Sequence, residues 1–136
     1  MANGLYDSGR SKFLDGSIAW STDTIKVSLV RSSTYTPNLA THTSLADVTA
    51  GGAVVATVTL GSKTSTAGVA DAADPVFTAV ASGAAIQYLV YYKDTGTPST
   101  SWLIACTDTA TGLPVTPGGG DITVTLDNGT NKIFKL

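Results

Sequence analysis

The feature that most constrains this chain is the return of apolar residues at every second position, over short runs broken by turn chemistry. From Thr24 to Val30, Ile25, Val27 and Leu29 share one side while Thr24, Lys26 and Ser28 share the other. Only an extended backbone sends alternate side chains to opposite faces, so the run reads as a half-buried strand. Ala53 to Leu60 repeats the pattern, with Val54, Ala56, Val58 and Leu60 on a common face. Ala85 to Lys93 differs, because Leu89 and Tyr91 fall on one side and Ile86, Tyr88, Val90 and Tyr92 on the other. Bulk on both sides predicts a central strand covered on both faces. Ser101 to Thr107 places Trp102, Ile104 and Cys106 together. Near the end, Ile122, Val124 and Leu126 alternate with threonines and run into Asp127-Asn128-Gly129, with Asn131 to Leu136 as the return strand. Asn-Gly between alternating runs is the strongest short hairpin signal, because both residues tolerate positive φ.

Strands separated by turn signals at a spacing of about 8–12 residues indicate an all-β fold. The expected architecture is an antiparallel β-sandwich or jelly-roll-like barrel with little helix, formed as a single domain over residues 21–136. Composition supports this. All ten acidic residues are Asp, and Glu, a strong helix former, is absent. Ser44 to Val48 and the stretch Asp7 to Gly16 leave room for short helical turns, the latter capped by Asp7 or Ser8 and stopped by Gly16. The segment Gly61 to Asp74 reads as loop with at most a short edge strand.

Residues 1–20 lack the period of two. Leu5, Tyr6, Phe13, Leu14 and Trp20 are large and apolar, yet no alternating strand claims them. This predicts an N-terminal arm whose five apolar residues bind a partner, since such anchors dominate protein–protein affinity. The expectation is that the arm serves attachment more than folding.

Charge and residue counts exclude several functions. Eight basic residues against ten acidic ones offer no excess to neutralise phosphates, so a nucleic-acid partner is not expected. No apolar run approaches the roughly 20 residues of a membrane helix, and the opening residues lack the basic-then-apolar order of a secretory leader. One His and one Cys cannot build a structural zinc site. The aspartates sit mainly in turn contexts, where their side chains cap backbone N–H groups. Asp71 with Asp74 is the nearest carboxylate pair, and Asp121 with Asp127 the nearest candidate for calcium, but neither forms a ligand series. His42 reads as a solvated loop histidine and Cys106 as a buried thiol. No Gly-x-Ser-x-Gly elbow accompanies them. No cofactor, metal or catalytic residue is expected, and the chain does not read as an enzyme. Tyr88, Tyr91, Tyr92 and Trp102 leave one other use open, a row of exposed aromatics that binds sugars as a carbohydrate-binding module does.

Whole-chain pattern adds a further expectation. Leu5-Tyr-Asp-x-Gly-Arg, Phe13-Leu-Asp-Gly, Ile18-x-Trp20, Asp23-Thr-Ile-Lys-Val and Tyr35-Thr-Pro37 resemble the opening of a family of small bacteriophage virion proteins. Val90-x-Tyr92-Lys-Asp-Thr-Gly96, Leu103-Ile-Ala105, Thr109-Ala-Thr-Gly-Leu-Pro-Val-Thr-Pro117, Gly119-Gly-Asp-Ile122 and Asn131-Lys-Ile-Phe-Lys-Leu136 resemble the same family. The resemblance implies a structural protein of the virion, made in the cytoplasm of the bacterial host. Its partners would be the phage capsid or other virion proteins, with self-association on the particle. A capsid decoration (cement) protein is the first expectation, a tail or fibre component the alternative.

Overall fold

The computed structural model describes residues 4–110, 112–126 and 133–135. In chain order the strands are β1 (Gly4–Leu5), β2 (Ile25–Arg31), β3 (Val54–Thr59), β4 (Thr64–Thr66), β5 (Val69–Asp71), β6 (Val76–Phe77), β7 (Ile86–Lys93), β8 (Leu103–Thr107), β9 (Ile122–Thr123) and β10 (Phe134–Lys135). Two short helices, α1 (Asp7–Leu14) and α2 (Leu45–Thr49), and a 3₁₀ turn at Pro98–Thr100 complete the described elements. The all-β class expected from the alternation holds: strands dominate, helix is minor, and the sheets are antiparallel.

Strand order in the main sheet is β1-β8-β7-β2-β3. β7 is its central strand, as its two-sided bulk requires. Tyr91 and Leu89 are buried on one face, Val90 and Tyr92 on the other. Each such side chain contributes up to about 1.5–3 kcal/mol by leaving water. On the first face, Ile25, Val27, Leu29 and Ala105 join Leu89 and Tyr91. This face is covered by two small sheets, β10-β5-β4 and β6-β9, which contribute Ala70, Phe77 and Phe134 to the same core. On the second face, Val30, Val90, Leu103 and Cys106 are sealed by Tyr6, Tyr35, Val48 and Ala53. The lid over this face is the connection between β2 and β3, held in place by α2.

Several expectations from alternation are corrected. β2 is covered on both faces rather than half-buried: Ser28 is fully buried, and its hydroxyl is satisfied by Thr57 Oγ1 at 2.7 Å. Val54 does not share a face with Ala56 and Val58. Leu29 pairs with Ala56 but Val30 with Val54, so Val55 is an extra residue in the ladder. Such a bulge resets the alternation beyond it; Val55 packs against the first core and Val54 against the second. A second bulge, between the pairs Tyr91–Ala105 and Tyr92–Leu103, inserts Ile104. It sends Ile104 to the first core while Cys106 lies in the second, so the expected shared face of these two residues is lost.

The stretch Gly61 to Asp74 contains a tight hairpin, β4 paired with β5, rather than loop alone. Ala67 and Gly68 form its turn with φ of 54° and 78°, the two successive positive values of the turn that matches strand twist. The two described strands nearest the C-terminus pair elsewhere, and the expected terminal hairpin itself falls mainly on residues 127–132, outside the described residues. β9 pairs with β6 and β10 with β5, so these described strands lie in different sheets. Asp127, Asn128 and Gly129, the predicted turn, are among those residues.

Candidate docking groove at the amino-terminal helix

The described part of the N-terminal segment does not stand away from the sheet as an arm. Leu5 pairs with Ala105 as an edge strand, and Tyr6 N–H donates to the Ile104 carbonyl at 2.9 Å. α1 then crosses β8, with Tyr6 at its N-cap and no side-chain cap from Asp7 or Ser8. Its approach depends on Gly9. A Cβ placed there would sit 2.5 Å from the Leu103 carbonyl oxygen and 3.0 Å from Ile104 Cα, so only a residue without a side chain lets the helix rest on the strand. The helix ends at Asp15 and Gly16, where Gly16 has φ of 82°. Asp23 fixes the loop that follows, accepting the Ala19 N–H at 2.8 Å and pairing with Lys93 at 3.1 Å.

With Gly9 turned inward, the five apolar residues expected to bind a partner divide. Tyr6 is fully buried, Leu5 and Trp20 are buried, and Trp20 Nε1–H donates to the Thr64 carbonyl at 3.0 Å. These three residues serve this chain's own cores. Phe13 is half-buried against Phe134, with ring centroids 5.8 Å apart. Leu14 is 89% exposed. Beside it lies a groove of about 320 Å³ lined by Leu5, Arg10, Phe13, Leu14 and Lys135. Three elements build it: β1 presents Leu5, α1 presents Arg10, Phe13 and Leu14, and β10, far away in sequence, presents Lys135. Among the described residues, two cations and no carboxylate line it. Arg10 pairs with Asp7 at 3.2 Å, but both side chains are more than half exposed, and such pairs contribute little.

The remaining candidate residues have structural work. His42 is half-buried rather than free in solvent. The Asn38 N–H donates to its Nδ1 at 3.2 Å, and the Tyr35 hydroxyl lies 2.9 Å from the same nitrogen. A backbone N–H can only donate, so Nδ1 carries the lone pair. The Tyr35 hydroxyl in turn contacts the Tyr6 hydroxyl at 2.8 Å. Burial pushes the Tyr35 phenol up to about 12 and the Tyr6 phenol higher still, so neither ionises at neutral pH. Burial also pushes the Cys106 thiol up to about 12, which makes it inert as a nucleophile.

The aspartates cap and brace. Asp74 accepts the Leu126 N–H at 2.8 Å, Asp121 the Ala79 N–H at 2.9 Å, and Asp94 pairs with Lys26 at 3.0 Å. Among the described residues, no group of three metal-ligating side chains is assembled. Tyr91 and Tyr92 are buried, Tyr88 packs edge-on against Tyr35, and Trp102 lies under Lys12 Nζ, 4.5 Å from the ring centroid. These four aromatics therefore form no exposed row, and the sugar-binding alternative loses the platform it requires.

The groove itself was not legible in the sequence, because Lys135 joins α1 only through the packing of β10 on β5. Comparison with known protein families finds no family model that matches the chain, and comparison with curated proteins finds no match.

Proposed function

We propose that the chain is a bacteriophage virion structural protein, and that it acts as a capsid decoration protein binding the shell of the major capsid protein. The observation that carries this reading is where the described parts of the opening and closing segments meet. These segments, which resemble phage virion proteins, converge on one exposed apolar feature, Leu14 beside its groove. Elsewhere the domain is sandwich-like and inert, with a threonine- and serine-rich surface, buried phenols and a buried thiol. Such a domain suits adhesion to a particle better than catalysis. Self-association on the particle, and localisation to the virion after synthesis in the host cytoplasm, belong to the same reading.

Imaging of intact virions with this chain labelled tests it directly. Density on the capsid lattice supports decoration. Density confined to the tail or its fibres moves the assignment there, and absence from purified particles overturns the virion reading altogether.

A further inference from the structure

We propose that the groove beside α1 takes an apolar side chain flanked by carboxylates, presented by a partner polypeptide. This inference rests on the reading of the chain as a protein that attaches to a larger assembly, and names the chemistry of the contact. The floor is apolar, from Leu5 and Phe13, and Leu14 stands at its edge 89% exposed. Exposure of a leucine to that degree is ordinary when isolated. Here it borders a concavity of about 320 Å³ with room for one or two side chains.

Charge selects the occupant. Arg10 and Lys135 line the groove and, among the described residues, no carboxylate does, although the whole chain carries a net charge of −2. A second copy of the chain docking by this face would set Arg10 and Lys135 against their own symmetry mates. Like charges across an interface are penalised, whereas opposite charges steer and orient the encounter. An acidic partner also competes well for Arg10, whose pairing with Asp7 is solvent-exposed.

The test uses the full chain, ¹⁵N-labelled, and two acetylated and amidated six-residue peptides, one alternating Leu with Asp and one alternating Leu with Lys. The Leu/Asp peptide is expected to shift amide resonances at Leu5, Arg10, Phe13, Leu14 and Lys135. It should bind about fivefold more tightly than the Leu/Lys peptide at low salt, with the difference closing near 1 M salt as charges are screened. Leu14→Ser should weaken binding about threefold with an unchanged melting temperature, and Arg10→Glu should remove the preference for Asp. Equal binding of the two peptides, shifts centred elsewhere, or Leu14-dependent dimerisation in sedimentation velocity without peptide overturns the proposal. Groove-centred binding of the Leu/Asp peptide by a chain that fails to attach to phage particles supports the groove chemistry and removes the virion reading. Particle attachment undiminished in both Leu14→Ser and Arg10→Glu does the reverse.

Discussion

Gly9→Ala sets two opposing effects against each other at the point where the N-terminal helix meets the main sheet. On an isolated helix the change is favourable, because alanine exceeds glycine in helix propensity by up to about 1 kcal/mol. In this fold the new methyl carbon would lie 2.5 Å from the Leu103 carbonyl oxygen and 3.0 Å from Ile104 Cα. Ordinary carbon contacts begin near 3.5 Å, so α1 must lift by roughly 1 Å. Both obstructing atoms are backbone in a strand paired on both sides, and neither moves cheaply. Overpacking of this kind costs about 1–3 kcal/mol, and two immobile backbone atoms put this site in the upper half of that range. Less the propensity gain, the net change should be a destabilisation of about 1–2 kcal/mol. With an unfolding entropy near 2.1 cal/mol/K per residue, 136 residues lose about 3–4 °C per kcal/mol. The melting temperature of Gly9→Ala, followed by circular dichroism, should therefore fall by about 3–7 °C. Lifting α1 also tilts the groove, so peptide affinity should drop in the same variant. A melting temperature at or above that of the wild type would mean that propensity wins, and that α1 does not rest on β8 as described.

Removal of residues 2–16 should unfold or aggregate the chain rather than leave a folded β domain, because it strips Leu5 from the sheet edge and Tyr6 from the second core; a cooperative melt within about 5 °C of wild type would count against this. Tyr6→Phe should cost about 0.5–1.5 kcal/mol, the usual net worth of one hydrogen bond, since it removes the 2.8 Å contact with Tyr35 and leaves Tyr35 its contact with His42; a chemical denaturation midpoint equal to wild type would discount the pair. Asp47 accepts the Thr43 N–H at 2.8 Å and the Ser44 N–H at 3.2 Å, and the first of these bonds chiefly holds its carboxyl below the usual carboxylate range. A carboxylate with a depressed folded value stabilises above its unfolded value, near pH 4, and loses that contribution as pH falls through the folded one. The stability gap between wild type and Asp47→Ala should accordingly be full at pH 7 and shrink as pH falls below about 4, and a gap independent of pH would refute the assignment.

Sequence alternation located the elements whose environment is set by their own side chains. β7 needs no knowledge of its neighbours to be recognised as central, because Val90, Tyr91 and Tyr92 cannot all be buried unless both faces are covered. What alternation leaves open is pairing. Ile122 and Phe134 each mark a strand, but period two does not say that the first joins Val76–Phe77 and the second Val69–Asp71. The bulges at Val55 and Ile104 escape for a related reason. Each is a count of two residues against one, fixed by the partner strand and not by the bulged strand's own sequence. The hairpin at Ala67-Gly68 was hidden by chemistry, since alanine seldom adopts positive φ and gives no turn signal of its own.

Loss of period two in the first 20 residues correctly marks the absence of a long strand among the described residues, but it does not mark the end of the core. A short helix and a two-residue edge strand bury large side chains without producing alternation, and Leu5, Tyr6 and Trp20 are spent in that way. The signal that distinguishes a packed segment from a free arm is Gly9, four residues before Phe13 and on the same side of the helix. A glycine in a short helix is costly unless something must approach closely, and here the backbone of β8 does. On the proposed reading, folding and attachment draw on one segment, and most substitutions in it would disturb both. Leu14 is where the two separate: it is the apolar residue of α1 that the cores do not use. Loss of particle attachment in a Leu14→Ser chain that melts like wild type would assign the contact to this helix. Attachment undiminished from wild-type affinity in the same chain would place the contact on another face.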